Sequence, residues 1–184
     1  MKSEVRLSYA HRLLSCRPVC LLTTQYRGQA NVMTLAWTSS LGLEPPLVGM
    51  AIHPSRYTHD MLCRSEEFVL NIPARPLLEQ VQQCGELSGA DDDKIELCSL
   101  TLDSPKRVEP PWIQECIAHI EGTVVEILHP GDHTLFVGEI AGAWAEEEAF
   151  VDQWIVPQES EELAPLVHLG GQQFALLGQG VTYS

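Results

Sequence analysis

The segment Ser55-Arg56-Tyr57-Thr58 carries residue types suited to binding a phosphate group. It stands between an apolar stretch that ends at His53-Pro54 and a short stretch with helical spacing. Hydroxyl groups, a guanidinium and the free N–H groups of a helix start are the donors that hold a phosphate monoester. The alternative is an ordinary helix cap by Ser55 or Thr58, with the Arg56 side chain in water.

The stretch from Asn31 to Ser39 reads NVMTLAWTS and has the composition of a wall for a flat ligand. Strand alternation puts two sets of side chains on opposite faces: Asn31, Met33, Leu35, Trp37 and Ser39 on one, and Val32, Thr34, Ala36 and Thr38 on the other. Polar donors beside Met and Trp suit a planar ligand with a polar edge. The alternative is a barrel strand with two ordinary faces.

A glycine-rich segment, Cys84-Gly85-Glu86-Leu87-Ser88-Gly89, precedes Asp93-Lys94. Glycines let a backbone approach a ligand closely, and Lys94 could place a positive charge near an electron-rich ring. The alternative is a surface loop whose lysine is paired with a carboxylate.

The segment Gly131-Asp132-His133-Thr134 offers His133 as a polar contact. A metal pair of His129 and His133 is disfavoured, because the Pro-Gly between them breaks a helix and they need not share a face. No Ser/His/Asp arrangement stands out, so we predict no metal ligands and no catalytic side chains.

The charge balance limits the partners of the chain. With 25 acidic and 11 basic residues the net charge is −14, which repels nucleic acid and anionic membrane surfaces. A phosphate site must therefore be built locally. Since the sequence shows neither an export signal nor a long apolar run, we expect a cytoplasmic chain. The six cysteines form no C-x-x-C pair and are expected to be reduced and mostly buried.

The remaining pattern predicts a mainly β protein with short helices, in one domain over residues 1–184. The predicted strands are Val19 to Thr24, Asn31 to Ser39, Leu47 to Ile52, Phe68 to Ile72, one long strand within Ile113 to Leu128, and Thr134 to Ala145. The predicted helices are Thr58 to Ser65 and Pro76 to Cys84. Tyr26 to Gln29 reads as a hairpin turn, whereas the C-terminal third shows little pattern. Short strands with few helices favour an antiparallel barrel or sandwich.

Taken together, these segments resemble the flavin reductase-like, flavoredoxin-type family. The resemblance lies in an ordered series of motifs over most of residues 15 to 140: RPVCLLTT with the Gly28 turn, NVMTLAWTS, Pro45-Pro46, HPSRYTHDML, EEFVLNIP, CGELSGADDDK and GDHTLFVGEI. It implies an antiparallel FMN-binding split β-barrel of Greek-key type, usually a homodimer with flavin sites near the subunit interface.

By position, the resemblance assigns residues to the flavin in four groups. They are Asn31, Val32, Met33, Thr34, Trp37, Thr38 and Ser39 along the flavin, Ser55, Arg56, Tyr57 and Thr58 at its phosphate and ribityl end, Cys84, Ser88, Lys94 and His133 near the ring, and Phe174 as a covering aromatic. The resemblance also implies an oxidoreductase that uses NAD(P)H and passes electrons to free flavin, a metal complex or a protein. The alternatives are an electron carrier that does not use NAD(P)H, and a non-catalytic split-barrel ligand-binding protein.

Two departures from the family pattern concern the electron acceptor. The loop reads Ser88-Gly89-Ala90, where related chains often carry a basic residue at the third position, and the stretch from Glu146 to Glu162 is unusually acidic. The acceptor and the choice between NADH and NADPH therefore stay open.

Overall fold

The computed structural model describes residues 5–156, 161–178 and 180. The strands, in chain order, are β1 Arg17–Pro18, β2 Cys20–Tyr26, β3 Gln29–Leu35, β4 Thr38–Leu43, β5 Pro46–Ile52, β6 Glu67–Ile72, β7 Leu102–Asp103, β8 Trp112–Ile113, β9 Ala118–Leu128, β10 Thr134–Ala145, β11 Phe150–Val151, β12 Gln153–Trp154, β13 Leu166–Gly170 and β14 Gln173–Leu176. The α-helices are α1 Tyr57–Ser65, α2 Leu78–Glu86 and α3 Lys94–Leu97, and 3₁₀ turns cover Leu7–Leu14 and Arg75–Leu77.

The main sheet has the strand order β3-β2-β6-β9-β10-β5-β4, and every neighbouring pair in it is antiparallel. A second sheet has the order β1-β13-β14. The expectation of an antiparallel, mainly β fold with short helices is therefore confirmed. Within the described ranges, no helix has the length and apolar character needed to span a membrane.

Strand β2 is covered on both faces, which explains why its sequence is a continuous apolar run rather than an alternating one. Residues Cys20 to Thr24 are all buried. Leu22 packs in the barrel core, the cluster that contains Met50 and Phe68. Leu21 packs in the outer core, the cluster that contains Val81 of α2. Because both faces of β2 are covered, hydrophobic side chains are favoured at successive positions.

Two glycines make room for the largest side chain of the barrel core. A methyl group on Gly122 would lie 2.5 Å from the ring of Phe68, and one on Gly138 would overlap the same ring. Phe68 is fully buried. Glycine at both positions therefore lets β9 and β10 close over this ring.

The structure corrects the prediction of one strand from Asn31 to Ser39. The ladder ends at Leu35 and resumes at Thr38. Strand β3 pairs with β2 and strand β4 pairs with β5, at opposite ends of the main sheet. The chain must leave one end of the sheet to reach the other, so Ala36 and Trp37 lie outside both strands.

The C-terminal third contains more strand than its sequence pattern indicates. Strands β13 and β14 form a hairpin in which Gly170, the last residue of β13, and Gly171 in the turn have φ of 118° and 60°. Strand β13 also pairs with β1, more than a hundred residues earlier in the chain. This pairing leaves no local periodic signal. Within the acidic stretch from Glu146 to Glu162, residues 157–160 lie outside the described part.

The long strand predicted within Ile113 to Leu128 is confirmed as β9, which begins at Ala118 and follows the separate short strand β8. Two helical segments differ from the prediction. The helix predicted from Pro76 to Cys84 starts as a 3₁₀ turn and continues to Glu86. The 3₁₀ segment Leu7–Leu14 was not predicted.

Candidate functional site

The first turn of α1 has no side-chain cap. Ser55 Oγ lies 2.8 Å from His53 Nδ1 and is engaged there. The residue at the cap position is Arg56, which makes no capping hydrogen bond. Thr58 is buried, and its Oγ1 accepts a hydrogen bond of 2.7 Å from Asn31 Nδ2. The capping alternative for Ser55 and Thr58 is therefore wrong, and the first N–H groups of α1 lack a capping acceptor.

Lys94 lies in a buried environment rather than on a surface loop. Its side chain is 5% exposed, and Nζ donates a hydrogen bond of 3.2 Å to the carbonyl oxygen of Cys84. Burial lowers the pKa of Lys94, and the thiols of Cys84 and Cys98 oppose that shift. Among the described residues no carboxylate forms an ion pair with Lys94. A buried ammonium of this kind is costly unless an anion or an electron-rich group faces it.

The start of α1, strand β3 and the segment after α2 enclose one cavity of about 180 Å³, which we call the cationic cavity. Its lining consists of Met33, Thr34, Ser55, Arg56, Tyr57, Thr58, Cys84, Gly85, Glu86, Leu87, Ser88, Gly89 and Lys94. The carboxylate in this lining, that of Glu86, accepts hydrogen bonds from Gln82 and Gln172. Arg56 and Lys94 thus both supply positive charge to one cavity, within a strongly acidic chain.

Glycine at position 89 is required by the close approach of the loop to β3. A methyl group there would overlap Asn31 Oδ1 and would lie 2.9 Å from Tyr57 Cδ1. Gly85 is less restricted, since its added methyl would lie 3.4 Å from Thr34 Cβ. The cavity wall is therefore positioned by backbone that touches the side chains of β3 and α1 directly.

A second cavity has a volume of about 250 Å³. Its lining includes Trp37, Thr38 and Ser39, which follow β3 in the chain. We call it the indole cavity. The Trp37 ring is 44% exposed and lies between two histidine rings, at centroid distances of 5.4 Å from His11 and 4.6 Å from His133. It offers the flat, partly polar surface that a planar ring can contact.

His133 connects this aromatic group to a carboxylate. Its Nδ1 lies 2.7 Å from Asp132 Oδ1, and this contact lowers the pKa of Asp132. His129 instead lies near Thr134, with Nδ1 3.3 Å from Oγ1. The two histidines thus have different neighbours. Among the described residues, no three His, Cys, Asp or Glu side chains are grouped so that they could hold a metal ion.

Thirteen assigned residues are placed at or beside these two cavities. Met33, Thr34, Ser55, Arg56, Tyr57, Thr58, Cys84, Ser88 and Lys94 line the cationic cavity, Trp37, Thr38 and Ser39 line the indole cavity, and His133 contacts Trp37. Their role in binding stays a prediction.

The other three assigned residues line neither cavity. The Asn31 amide supports Thr58, and Val32 is fully buried in the outer core. Phe174 packs on the outer core and faces His168, whose ring centroid is 5.4 Å away. His11 and Arg17, which line the indole cavity, were not predicted, because no local motif marks them.

The candidate site thus has two parts. One is the cationic cavity, whose lining includes Thr34, and the other is the flat ring of Trp37, three residues further along the chain. This arrangement suits an anionic group joined to a planar ring.

Comparison with known proteins identifies related chains. A family model described as "Flavin reductase like domain" matches residues 12–176. An uncharacterized protein of Archaeoglobus fulgidus is 49% identical over 110 residues, which are 60% of this chain and 62% of that protein. This chain therefore spans less than two thirds of that relative.

Two solved structures share the fold. Flavoredoxin from Methanosarcina acetivorans has 26% identity and a TM-score of 0.84, with 100% of this chain and 95% of that chain covered. The FMN-binding domain of a flavin reductases-like enzyme from Shewanella baltica OS155 has 26% identity and a TM-score of 0.83, with 99% and 97% covered. The antiparallel split-barrel fold is thereby confirmed.

Proposed function

Because the chain belongs to the flavin reductase-like family, we propose that it is an FMN-binding oxidoreductase. The observation that supports FMN most directly is the pair of cations in the cationic cavity. Arg56 and the buried Lys94 both line this cavity, and neither has an ion-pair partner among the described residues. A phosphate monoester with an electron-rich ring would supply the negative charge that these side chains lack.

Different residues of the two cavities would bind different parts of this cofactor. Arg56 and the uncapped first turn of α1 bind the phosphate, since both present N–H donors to one place. The loop containing Gly89 closes on β3 and excludes water from this end. Trp37 provides a flat contact, and Lys94 places positive charge beside the bound ring. When bound, FMN supplies the redox chemistry that the side chains do not.

We propose NAD(P)H as the electron donor, with free flavin, a metal complex or a protein as the acceptor. A carrier that does not use NAD(P)H is the second candidate, favoured by the likeness to flavoredoxin. Anaerobic addition of NADH or NADPH to the FMN-loaded protein separates the two. Bleaching of the flavin absorbance supports the enzyme, and an unchanged spectrum supports the carrier.

FMN binding can be tested by comparing the affinities for FMN and for riboflavin, which lacks the phosphate. We expect Arg56→Ala to weaken FMN about 10- to 100-fold, the value of one or two charge-assisted hydrogen bonds, and to change riboflavin affinity much less. The matched control is Arg64→Ala, on the same helix, where the guanidinium is exposed and bonded to Asp60. Equal losses for FMN and riboflavin would remove Arg56 from this role. A protein that retains neither flavin would favour a split-barrel module for another ligand.

We also propose a cytoplasmic homodimer. Light scattering during size-exclusion chromatography tests the dimer, since the mass of one chain is 20.4 kDa. A peak at the mass of a single chain, in the FMN-loaded protein, would contradict it.

A further inference from the structure

Two buried thiols meet at the wall of the cationic cavity, whose lining includes Cys84. Cys84 lies in the last turn of α2, and Cys98 directly follows α3. Their sulfur atoms are 3.5 Å apart, and the residues are 1% and 3% exposed. All six cysteines of the chain are free thiols.

The chain between these two thiols forms the cavity wall. Residues 85–97 include the lining residues from Gly85 to Gly89 and Lys94. The segment is folded by its own turns: the Ser88 carbonyl accepts from Asp91 and Asp92, and the Asp93 carboxylate caps α3. A bond between the two sulfurs would therefore join the two ends of a preformed loop.

We propose that Cys84 and Cys98 form a redox-active dithiol, which hydrogen peroxide converts to an intrachain disulfide that fixes the cavity wall. An effect on FMN release rests on the proposed function, whereas the disulfide itself does not. Sulfurs 3.5 Å apart need only a small shift to reach the bonding distance of about 2.05 Å.

The reaction is balanced by one molecule of peroxide. The thiolate of one cysteine attacks peroxide, the O–O bond breaks, and a sulfenic acid and hydroxide form. The sulfur of the second cysteine then displaces the sulfenic oxygen, which leaves as water as the S–S bond forms. In sum, the two thiols lose two protons and two electrons, and peroxide, which takes them up, becomes two molecules of water.

Burial makes this reaction slow at neutral pH. It raises the pKa of Cys84 to about 12, and the positive charge of Lys94 only partly opposes the effect. Since the thiolate is the reacting form, oxidation should accelerate about tenfold per pH unit between pH 7 and 9. We therefore expect the two thiols to stay reduced during brief contact with peroxide and to form the disulfide during sustained exposure to it.

Mass mapping tests the disulfide. The two exposed cysteines are first removed as Cys16→Ser and Cys63→Ser, which leaves four buried thiols of six. After peroxide treatment and alkylation in denaturant, we expect two thiols protected and one peptide pair joined through Cys84 and Cys98. Cys98→Ala should form no such bridge. Alkylation of all four thiols, a bridge from Cys84 to Cys116, or a sulfinic acid at Cys84 would overturn the proposal.

Amide hydrogen exchange tests the effect on the wall. Oxidation should slow exchange in residues 85–97 by about threefold or more, and dithiothreitol should restore it. A disulfide without slower exchange would contradict the proposed fixing of the wall. FMN release from the oxidised protein should slow in parallel. If the reduced protein binds no FMN, the proposed function fails, while the mass and exchange measurements still decide the disulfide.

Discussion

Replacing Gly89 by alanine tests whether the loop and β3 fit together as the structure shows. The added methyl would overlap Asn31 Oδ1 and lie 2.9 Å from both Asn31 Cγ and Tyr57 Cδ1. The Asn31 amide cannot simply rotate away, because its Nδ2 donates to the buried Thr58 hydroxyl at 2.7 Å. Either this hydrogen bond breaks, or the loop moves away from the cationic cavity.

The expected loss of stability or of ligand affinity depends on which of these two changes occurs. Overpacking of this kind destabilises proteins by about 1–3 kcal/mol. A broken Asn31–Thr58 hydrogen bond would add about 1 kcal/mol. If the loop moves instead, part of this cost appears as lost ligand affinity, and 1.4 kcal/mol corresponds to tenfold. We therefore expect FMN affinity to fall about tenfold or more, with the melting temperature lower by roughly 4–8 °C.

The assay combines equilibrium dialysis with FMN and calorimetric melting of the flavin-free protein. Gly178→Ala is the matched control, because its methyl would meet nothing within 4 Å and its φ lies outside the left-handed region. The control should retain wild-type affinity and melting temperature. If Gly89→Ala behaves like the control in both measurements, the loop does not rest on Asn31 and the proposed wall is wrong.

Two further predictions concern buried polar groups beside the barrel. Burial lowers the pKa of His119 to about 4, so the unfolded chain binds its proton below about pH 6.5 while the folded chain stays neutral. The free energy of unfolding should fall by about 3 kcal/mol as pH drops from 6.5 to 4, and His119→Asn should remove this part in urea titrations; equal pH slopes would contradict it. The carboxylate of Glu121 is fully buried and accepts from Lys106 N, Arg107 N and Trp112 Nε1. Glu121→Gln sets an amide NH₂ against one of these donors and should cost about 2 kcal/mol, or roughly 4–8 °C by calorimetry; an unchanged melting temperature would show that the N–H groups find other acceptors.

Local signals in the sequence were sufficient for most of the barrel. The hairpin after β2 is an example: Tyr26 pairs with Gln29 across Arg27 and Gly28, whose φ values of 53° and 77° suit a two-residue turn. Strands such as Thr134 to Ala145 were also bounded correctly, since turn residues flank them. Elements that depend on distant partners were missed, such as the pairing of β1 with β13.

The candidate site also contains both residues that a local sequence signal marks and features that depend on distant contacts. The segments containing Arg56, Lys94 and Trp37 each carried a local motif, and the fold places Arg56 and Lys94 in the lining of one cavity and Trp37 in that of another. The burial of Lys94 could not be predicted, because it depends on how α3 packs against β3 and α2. The approach of Cys98 to Cys84 was missed for the same reason, since fourteen residues separate them and no pattern relates their side chains.

The acidic character of the chain and its cationic cavity are compatible because charge acts over limited distances. At physiological ionic strength, exposed charges farther apart than about 8 Å are largely screened. The carboxylates on the outer surface therefore influence which macromolecules approach, and we expect them to weaken any binding of nucleic acid. Inside the cavity the nearby groups dominate, and there Lys94 is 5% exposed and Arg56 belongs to the same lining. If the chain binds FMN as we propose, a cavity of about 180 Å³ would take one phosphate-bearing end of a small ligand, and we expect it to exclude a polymer backbone.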